Sequence, residues 1–243
     1  MRFTSTSNPV LTRKAFEAQA DGQVMTIQGT VNKSFILLLI LLITATLAWR
    51  ITTAGSTSAV SLMLPAALVG FGLALVTIFV KKIAFITAPL YVAAEGFFLG
   101  SISVMYNYLY PGIIIQAVML TLGILALLLF AYKTGLIKMS QKLRSGIMIA
   151  TGGIALVYLV SFGMNMFGAS MPYIHDGGPI GIGISLFIVI IAALNLILDF
   201  SFIEDSAKQN APKYLEWYAA FGLMVTLIWL YLEILRLLGK IRN

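Results

Sequence analysis

Residues 83–106 read IAFITAPLYVAAEGFFLGSISVMY, a stretch of 24 residues with one charged side chain, Glu95, near its middle. A helix needs about 20 predominantly apolar residues to cross the roughly 30 Å hydrocarbon layer of a bilayer. We therefore predict that this stretch is a membrane-spanning helix. Tyr106 at its end is typical of headgroup depth, where amphipathic rings are enriched.

Apolar runs of similar length occur along the rest of the chain and are joined by short connections. The predicted spans are Ser34–Thr53, Ser58–Val80, Ile83–Tyr106, Pro111–Tyr132, Ser145–Gly168, Pro179–Ile203 and Trp217–Gly239. We expect an all-α integral membrane protein with one seven-helix membrane domain over residues 34–243. The polar N-terminal segment, residues 1–33, is either a disordered tail or an amphipathic segment at the interface.

The composition excludes a water-soluble globule. Hydrophobic residues make up 60% of the chain and charged residues only 10%, whereas roughly 25% of an average soluble domain is charged. The absence of Cys excludes disulfides and thiol nucleophiles, and a single His argues against a histidine-built zinc site. No Ser-His-Asp set, HExxH or Walker sequence is present, so we expect neither an enzyme nor a bound cofactor.

The distribution of Lys and Arg predicts the orientation of the chain. Twelve of these residues fall on the side of the N-terminus and four on the opposite side, which places the N-terminus in the cytoplasm. Seven spans then put the basic residues Lys240 and Arg242 outside, against the same rule. A last helix that only dips into the bilayer would remove this conflict, but we expect seven full spans.

Apart from Arg50 near the end of the first span, four charged side chains lie inside the predicted spans: Glu95, Asp199, Glu233 and Arg236. Each costs on the order of 2.5–3.5 kcal/mol at a helix centre, so such groups normally face a partner or a water-filled path. The spacing of three residues puts Glu233 and Arg236 on one helix face and predicts a salt bridge between them. We interpret that pair as structural.

The other two carboxyl groups are candidates for function. Glu95 lies about 20 Å along its helix from Lys82, close to mid-membrane. Desolvation favours the protonated form of such a group, which makes Glu95 a candidate cation ligand and pH sensor. Asp199 lies about one turn from the end of its span. It is either an ordinary helix-end carboxylate in water or a second pH sensor. The second alternative is possible because Lys81, Lys82 and Lys208 lie on the same side of the membrane, and a salt bridge with one of them could close a path.

Several short stretches form a set typical of a known family. They are AAEGFFLG at Ala93–Gly100, YPGIIIQA at Tyr110–Ala117, ALNLILDFSFIED at Ala193–Asp205 and YLEILRLLG at Tyr231–Gly239. With these stretches the sequence resembles the Bax inhibitor-1 family in its bacterial form, from the first span to the C-terminus. The segment SNPVL at Ser7–Leu11 is also typical of one bacterial branch.

The resemblance implies a seven-helix bundle with the last helix in its middle, and a pH-sensitive calcium leak in the bacterial inner membrane. In the family, an acid of the sixth helix pairs with an acid of the seventh, and a basic residue of the second helix latches onto both. Asp199 matches the first acid, Lys82 or Lys81 would be the nearest latch, and Arg236 matches a basic residue of the family. Thr226 stands where the family has its second acid.

The sequence therefore supports two hypotheses of different class. In the first, calcium or another cation leaks through a path lined by Glu95 and Asp199, which would bind the ion weakly and transiently. The residues Lys81, Lys82, Glu233 and Arg236 would act as latch or salt-bridge partners. In the second, the protein conducts nothing and restrains another membrane protein, such as a membrane-anchored protease. A proton-coupled transporter would require a substrate cavity, and no nucleic-acid partner is expected.

Overall fold

The computed structural model describes residues 23–54, 61–168 and 178–243. The SNPVL segment and most of the polar N-terminal segment lie outside these ranges. The described residues form α-helices without a β-sheet, which confirms the all-α class. The helices are α1 Ile27–Thr53, α2 Met63–Phe79, α3 Ala84–Leu109, α4 Ile113–Lys133, α5 Gln141–Met166, α6 Pro179–Lys208 and α7 Leu215–Arg242, with a 3₁₀ turn at Lys81–Ile83 before α3.

The number of helices matches the seven predicted spans. Six of the helices in the described ranges are long and apolar enough to cross a membrane, and α2 is a shorter apolar helix of 17 residues. At about 1.5 Å per residue, α2 is about 25 Å long, a few Å less than the hydrocarbon thickness. The protein is therefore a multi-pass membrane protein in its architecture.

Several helices extend beyond the apolar runs that predicted them. The first helix begins at Ile27, because the Thr26 hydroxyl accepts a hydrogen bond of 2.9 Å from the Gly29 amide and caps its N-terminus. At the end of α6, Lys208 pairs with Glu204 one turn earlier, at 2.5 Å. Polar residues can continue a helix through the headgroup region, so hydropathy underestimates helix length.

The described part of the N-terminal segment is attached to the membrane domain. The Met25 amide donates a 2.7 Å hydrogen bond to the Ala211 carbonyl, and the Lys213 amide donates one of 3.1 Å to the Gln23 carbonyl. Residues 27–33 are the first turns of α1. The domain boundary predicted at residue 33 therefore lies inside a helix, because the polar face of these turns hid them from the hydropathy pattern.

Polar contacts define the two ends of the bundle, named here the Lys33 end and the Arg50 end. At the Lys33 end, Lys33 of α1 forms a salt bridge with Glu216 of α7. At the Arg50 end, the Arg242 guanidinium donates a hydrogen bond of 2.9 Å to the Pro111 carbonyl just before α4. The first and last helices therefore run in the same direction.

Of the six candidate membrane spans among the described residues, the last helix is the most deeply buried. It packs against α1, α3, α4 and α6, while α2 packs against α3, and α5 against α6. Its residues Met224, Leu230 and Leu235 are fully buried in the main apolar core. A position of α7 in the middle of all six other helices stays a prediction.

The first and third helices approach each other unusually closely. A Cβ atom at Gly96 would lie 2.6 Å from the Leu41 carbonyl oxygen, and one at Gly100 would lie 2.2 Å from that of Ala45. No side chain fits in these gaps, so the two glycines allow the backbones to touch. This contact fixes the position of α3, which carries Glu95.

Candidate functional site

The Asp199 side chain lies on the face of α6 that packs against α7. A Cβ atom at Gly222 would lie 3.9 Å from Oδ1 of Asp199, and Thr226 lies one turn after Gly222 on the same side of α7, beside the carboxyl group. The other oxygen, Oδ2, is buried and has no hydrogen-bond partner among the described residues. An unpartnered buried carboxyl oxygen is costly, so this atom is a natural place for a proton, a water molecule or a cation.

Thr226 replaces the acid that the family resemblance implies for the seventh helix. The structure places it directly beside Asp199, and its hydroxyl also lies 3.3 Å from the Gly222 carbonyl oxygen. A threonine hydroxyl can donate to or accept from a carboxyl group, but it does not titrate near neutral pH. The pair therefore has one group that exchanges a proton, Asp199.

Glu95 faces a different neighbour. Its carboxyl group lies against Gly70 of α2, where a Cβ atom would come within 2.6 Å of Oε1. In the part of the chain that the structure describes, no hydrogen bond or ion pair joins Glu95 to another residue. The sequence-based expectation of a carboxyl group without a basic partner agrees with this geometry.

The structure does not place Glu95 and Asp199 in one shared cation site. The two carboxyl groups contact different helices, α2 and α7. Tyr91, one turn before Glu95, packs edge-on against Phe221 with ring centroids 5.0 Å apart, and Phe221 directly precedes Gly222. The carboxyl groups therefore lie at similar depth without contact. Within the described ranges, no group of three or more His, Asp or Glu residues could hold a metal ion.

Lys81, rather than Lys82, approaches the seventh helix. The Lys81 ammonium lies over the Tyr218 ring, 5.0 Å from its centroid, which is within cation–π range. Tyr218 lies one helical turn before Gly222, so Lys81 is close to the level of Asp199. Neither lysine forms an ion pair with Asp199 in this structure, and Lys82 has an exposed side chain without a partner among the described residues. The sequence left Lys82 and Lys81 open as the nearest basic group, and the contact with Tyr218 favours Lys81.

The predicted salt bridge between Glu233 and Arg236 is present, with Nη1 of the arginine 2.9 Å from Oε2 of the glutamate. Two aromatic residues complete the site. The Tyr158 hydroxyl of α5 donates to Oε1 of Glu233 at 2.7 Å and accepts from Nη1 of Arg236 at 2.5 Å, and Trp229 Nε1 donates to Oε1 at 3.1 Å. This network joins α5 to α7. Tyr158 could not be predicted as a partner from the sequence pattern, because it lies 75 residues from Glu233 in the chain.

The chain was compared with known protein families. Residues 8–243 match the family described as Bax inhibitor 1 like. The chain belongs to the Bax inhibitor 1 like family. The match includes every candidate site residue discussed above and confirms the resemblance to the family. No curated protein and no solved structure matched the chain.

This member of the Bax inhibitor 1 like family has a second buried carboxylate in α7 that the sequence analysis missed. Glu216 is only 1% exposed, forms a salt bridge with Lys33, and accepts hydrogen bonds from the amide and hydroxyl of Thr26 at 2.9 and 3.0 Å. It lies one residue before the predicted span, which began at Trp217. The group therefore links the starts of α1 and α7 and has its hydrogen-bonding capacity satisfied.

The described carboxylates of the family member fall into two groups. Four of the six form salt bridges: Glu204, Asp205, Glu216 and Glu233. The remaining two, Glu95 and Asp199, form no ion pair in the described ranges. These are the same two residues that the sequence analysis selected as functional candidates, and each lies inside a candidate membrane span.

Proposed function

We propose that the protein is a pH-sensitive leak for calcium or other cations, in which ions pass Asp199 on their way across the bundle. In this proposal α7 is central, the N-terminus lies in the cytoplasm, and the membrane is the inner membrane of a bacterium. The observation that carries the proposal is the buried Oδ2 atom of Asp199, which lacks a partner in the described part of the chain. Family membership and the multi-pass architecture support it.

The oxygen atoms around Asp199 suit a weak site for a hard cation. Calcium prefers several oxygen ligands, including carboxylates, carbonyls, hydroxyls and water. The Asp199 carboxylate and the Thr226 hydroxyl beside it provide one charged and one neutral oxygen group. Conduction requires weak binding, because an ion held by many charged ligands would not leave. Glu95 provides a second carboxylate at similar depth on the α2 side.

A lysine latch gives the proposed leak its pH dependence. The Lys81 ammonium rests on Tyr218, about one turn from Asp199. A charged Asp199 carboxylate attracts this ammonium, and their ion pair would block the path. Protonation of Asp199 removes the attraction, so the population shifts towards the open state as the pH falls. Because Thr226 does not titrate, this transition involves one proton at the Asp199 site.

The test is calcium flux into liposomes that contain a calcium-sensitive dye and the purified protein. We expect flux in the unmodified protein to rise as the pH falls, and we expect Asp199→Asn to remove this pH dependence because the amide cannot ionise. Asp205→Asn is the matched control. It makes the same change six residues later in α6, in a carboxylate that pairs with Arg144 at 2.8 Å.

Two outcomes would contradict the proposal. The first is an identical pH profile for the Asp199→Asn variant and the unmodified protein. The second is flux equal to that of protein-free liposomes at every pH. The second outcome would favour the alternative function, a non-conducting regulator that binds another membrane protein such as a membrane-anchored protease. Crosslinking in cells would then capture a specific neighbour. Neither function includes a catalytic step or a cofactor.

A further inference from the structure

A cavity of about 280 Å³ lies between α1, α3, α4 and α7. Its lining includes Leu99, one turn after Glu95, and Leu227, which follows Thr226. The cavity therefore lies on the Arg50 side of the two carboxyl groups. An apolar cavity of about 150 Å³ already binds benzene, so the space is large enough for a substantial part of a hydrocarbon chain.

The wall of this cavity is almost entirely apolar. None of the lining residues is charged. The hydroxyl groups of the lining are all hydrogen-bonded within the protein: Thr46 and Thr121 donate to backbone carbonyls at 2.7 and 2.8 Å, and Ser103 and Tyr231 share a hydrogen bond of 2.7 Å. A water molecule needs two to four polar partners to remain in a cavity. The chemistry of the wall therefore selects an apolar occupant.

The cavity opens sideways towards the hydrocarbon of the bilayer. Leu42 of α1 and Leu122 of α4 line it, and they are also 48% and 41% exposed on the outer surface of the bundle. In a membrane the surface at these depths faces lipid chains rather than water. An acyl chain from the surrounding lipid can therefore enter between α1 and α4 without crossing a polar barrier.

Basic residues lie at the end of the cavity where a lipid headgroup would be. Trp49 lines the cavity near the end of α1 and is followed by the exposed Arg50. Across the opening, Arg242 donates hydrogen bonds of 2.9 Å to the Pro111 carbonyl and the Gln116 side chain at the start of α4. A guanidinium has five N–H donors, so Arg242 can still bind a phosphate.

We propose that the cavity binds one acyl chain of an anionic phospholipid, whose headgroup lies against Arg50 and Arg242. The apolar wall and the lateral opening favour an acyl chain as the occupant, and the two arginines favour a negatively charged headgroup. The bound chain would hold α1 and α4 at a fixed separation and keep water out of this half of the bundle. This site does not depend on ion conduction and goes beyond the proposed leak.

The test is native mass spectrometry of the purified protein titrated with phosphatidylglycerol or phosphatidylcholine in a mild detergent. We expect the unmodified protein to bind one phosphatidylglycerol in preference to phosphatidylcholine. Val118→Phe places a ring in the cavity and should weaken binding about tenfold or more. Each methylene group of the lipid that the ring displaces no longer contributes its free energy of burial. Met119→Phe, the matched control, changes the neighbouring side chain, which is 67% exposed on the lipid-facing surface, and should bind as before.

A surface variant tests the headgroup without any change in packing. Arg50→Gln should weaken the binding of phosphatidylglycerol about fivefold and leave that of phosphatidylcholine unchanged, because one cationic contact is lost. Equal binding in the Val118→Phe and Met119→Phe variants would contradict the placement of the chain in the cavity. Equal binding of the two lipids by the unmodified protein would contradict the anionic headgroup.

Discussion

The pairing of Asp199 with Thr226 distinguishes this protein from the two-acid arrangement that its family resemblance implies. The hydroxyl of Thr226 lies beside Asp199, and one oxygen of the acid remains unpartnered within the described residues. Two carboxylates in contact share a proton and titrate in two steps, whereas a carboxylate beside a hydroxyl titrates in one. The substitution therefore changes the expected form of the pH response without removing it.

Restoring the second acid tests this difference. We expect Thr226→Asp to convert the pH dependence of calcium flux from one transition to two, and to lower the calcium concentration at which flux saturates, because a second carboxylate joins the site. The measurement is liposome flux across a pH series at several calcium concentrations.

Thr226→Asn is the control for that variant, because it has nearly the same shape as aspartate and no charge. If the Thr226→Asp and Thr226→Asn proteins give the same pH profile, residue 226 is not at the ion path and the pairing with Asp199 is structural only.

The position of Glu95 depends on two helix contacts of different kinds. The first helix meets α3 through the glycines at positions 96 and 100, and α2 meets α3 at Gly70, beside the Glu95 carboxyl group. The hydroxyl of Thr77 in α2 also donates to the hydroxyl of Thr87 in α3, at 2.7 Å. Small residues bring three helices together around one acid.

Alanine substitutions at two glycines should affect thermal stability differently, because only one of the two glycines lies in the contact between α1 and α3. Gly100→Ala should lower the thermal unfolding temperature, because the new Cβ atom would lie 2.2 Å from the Ala45 carbonyl oxygen and would force the helices apart. Gly123→Ala in α4 should leave the temperature unchanged or raise it. That glycine has open space around it, and alanine favours a helix by roughly 1 kcal/mol over glycine.

Thermal unfolding of the two purified variants in detergent, followed by circular dichroism, checks this prediction. Equal changes in the two proteins would show that the α1–α3 contact contributes no specific packing energy.

Helix boundaries show where sequence-based prediction of the elements works and where it fails. Hydropathy located every helix in the described ranges, because the free energy of transfer into lipid is a sum over residues of one segment. It missed the first turns of α1 and the last turns of α6, since these are stabilised by the Thr26 cap and the Glu204–Lys208 pair. Local hydrogen bonds, and not apolarity, decide where such helices begin and end.

The orientation predicted for the bundle in the membrane can be measured directly. The chain contains no Cys, so single cysteines can be introduced without a background signal. With the N-terminus in the cytoplasm and seven spans, we expect Lys138→Cys to be protected from an impermeant thiol reagent in intact cells. Asn107→Cys and Asn243→Cys should be labelled under the same conditions.

Permeabilised cells provide the control, because all three cysteines should then react. Labelling of Lys138→Cys in intact cells would reverse the orientation. Protection of Asn243→Cys together with labelling of Asn107→Cys would show that the last helix does not cross the bilayer.

The sequence by itself determined the class of this protein, the number of its helices, its family, and Glu95 and Asp199 as acids inside spans. These properties follow from composition and local patterns, because burial in lipid acts on each segment separately. Only the tertiary structure decided which polar groups meet. It joined Glu216 to Lys33 and Tyr158 to Glu233, placed Thr226 beside Asp199, and turned Glu95 towards α2. The rotation and close approach of helices far apart in the chain determine these contacts, and no single segment encodes them.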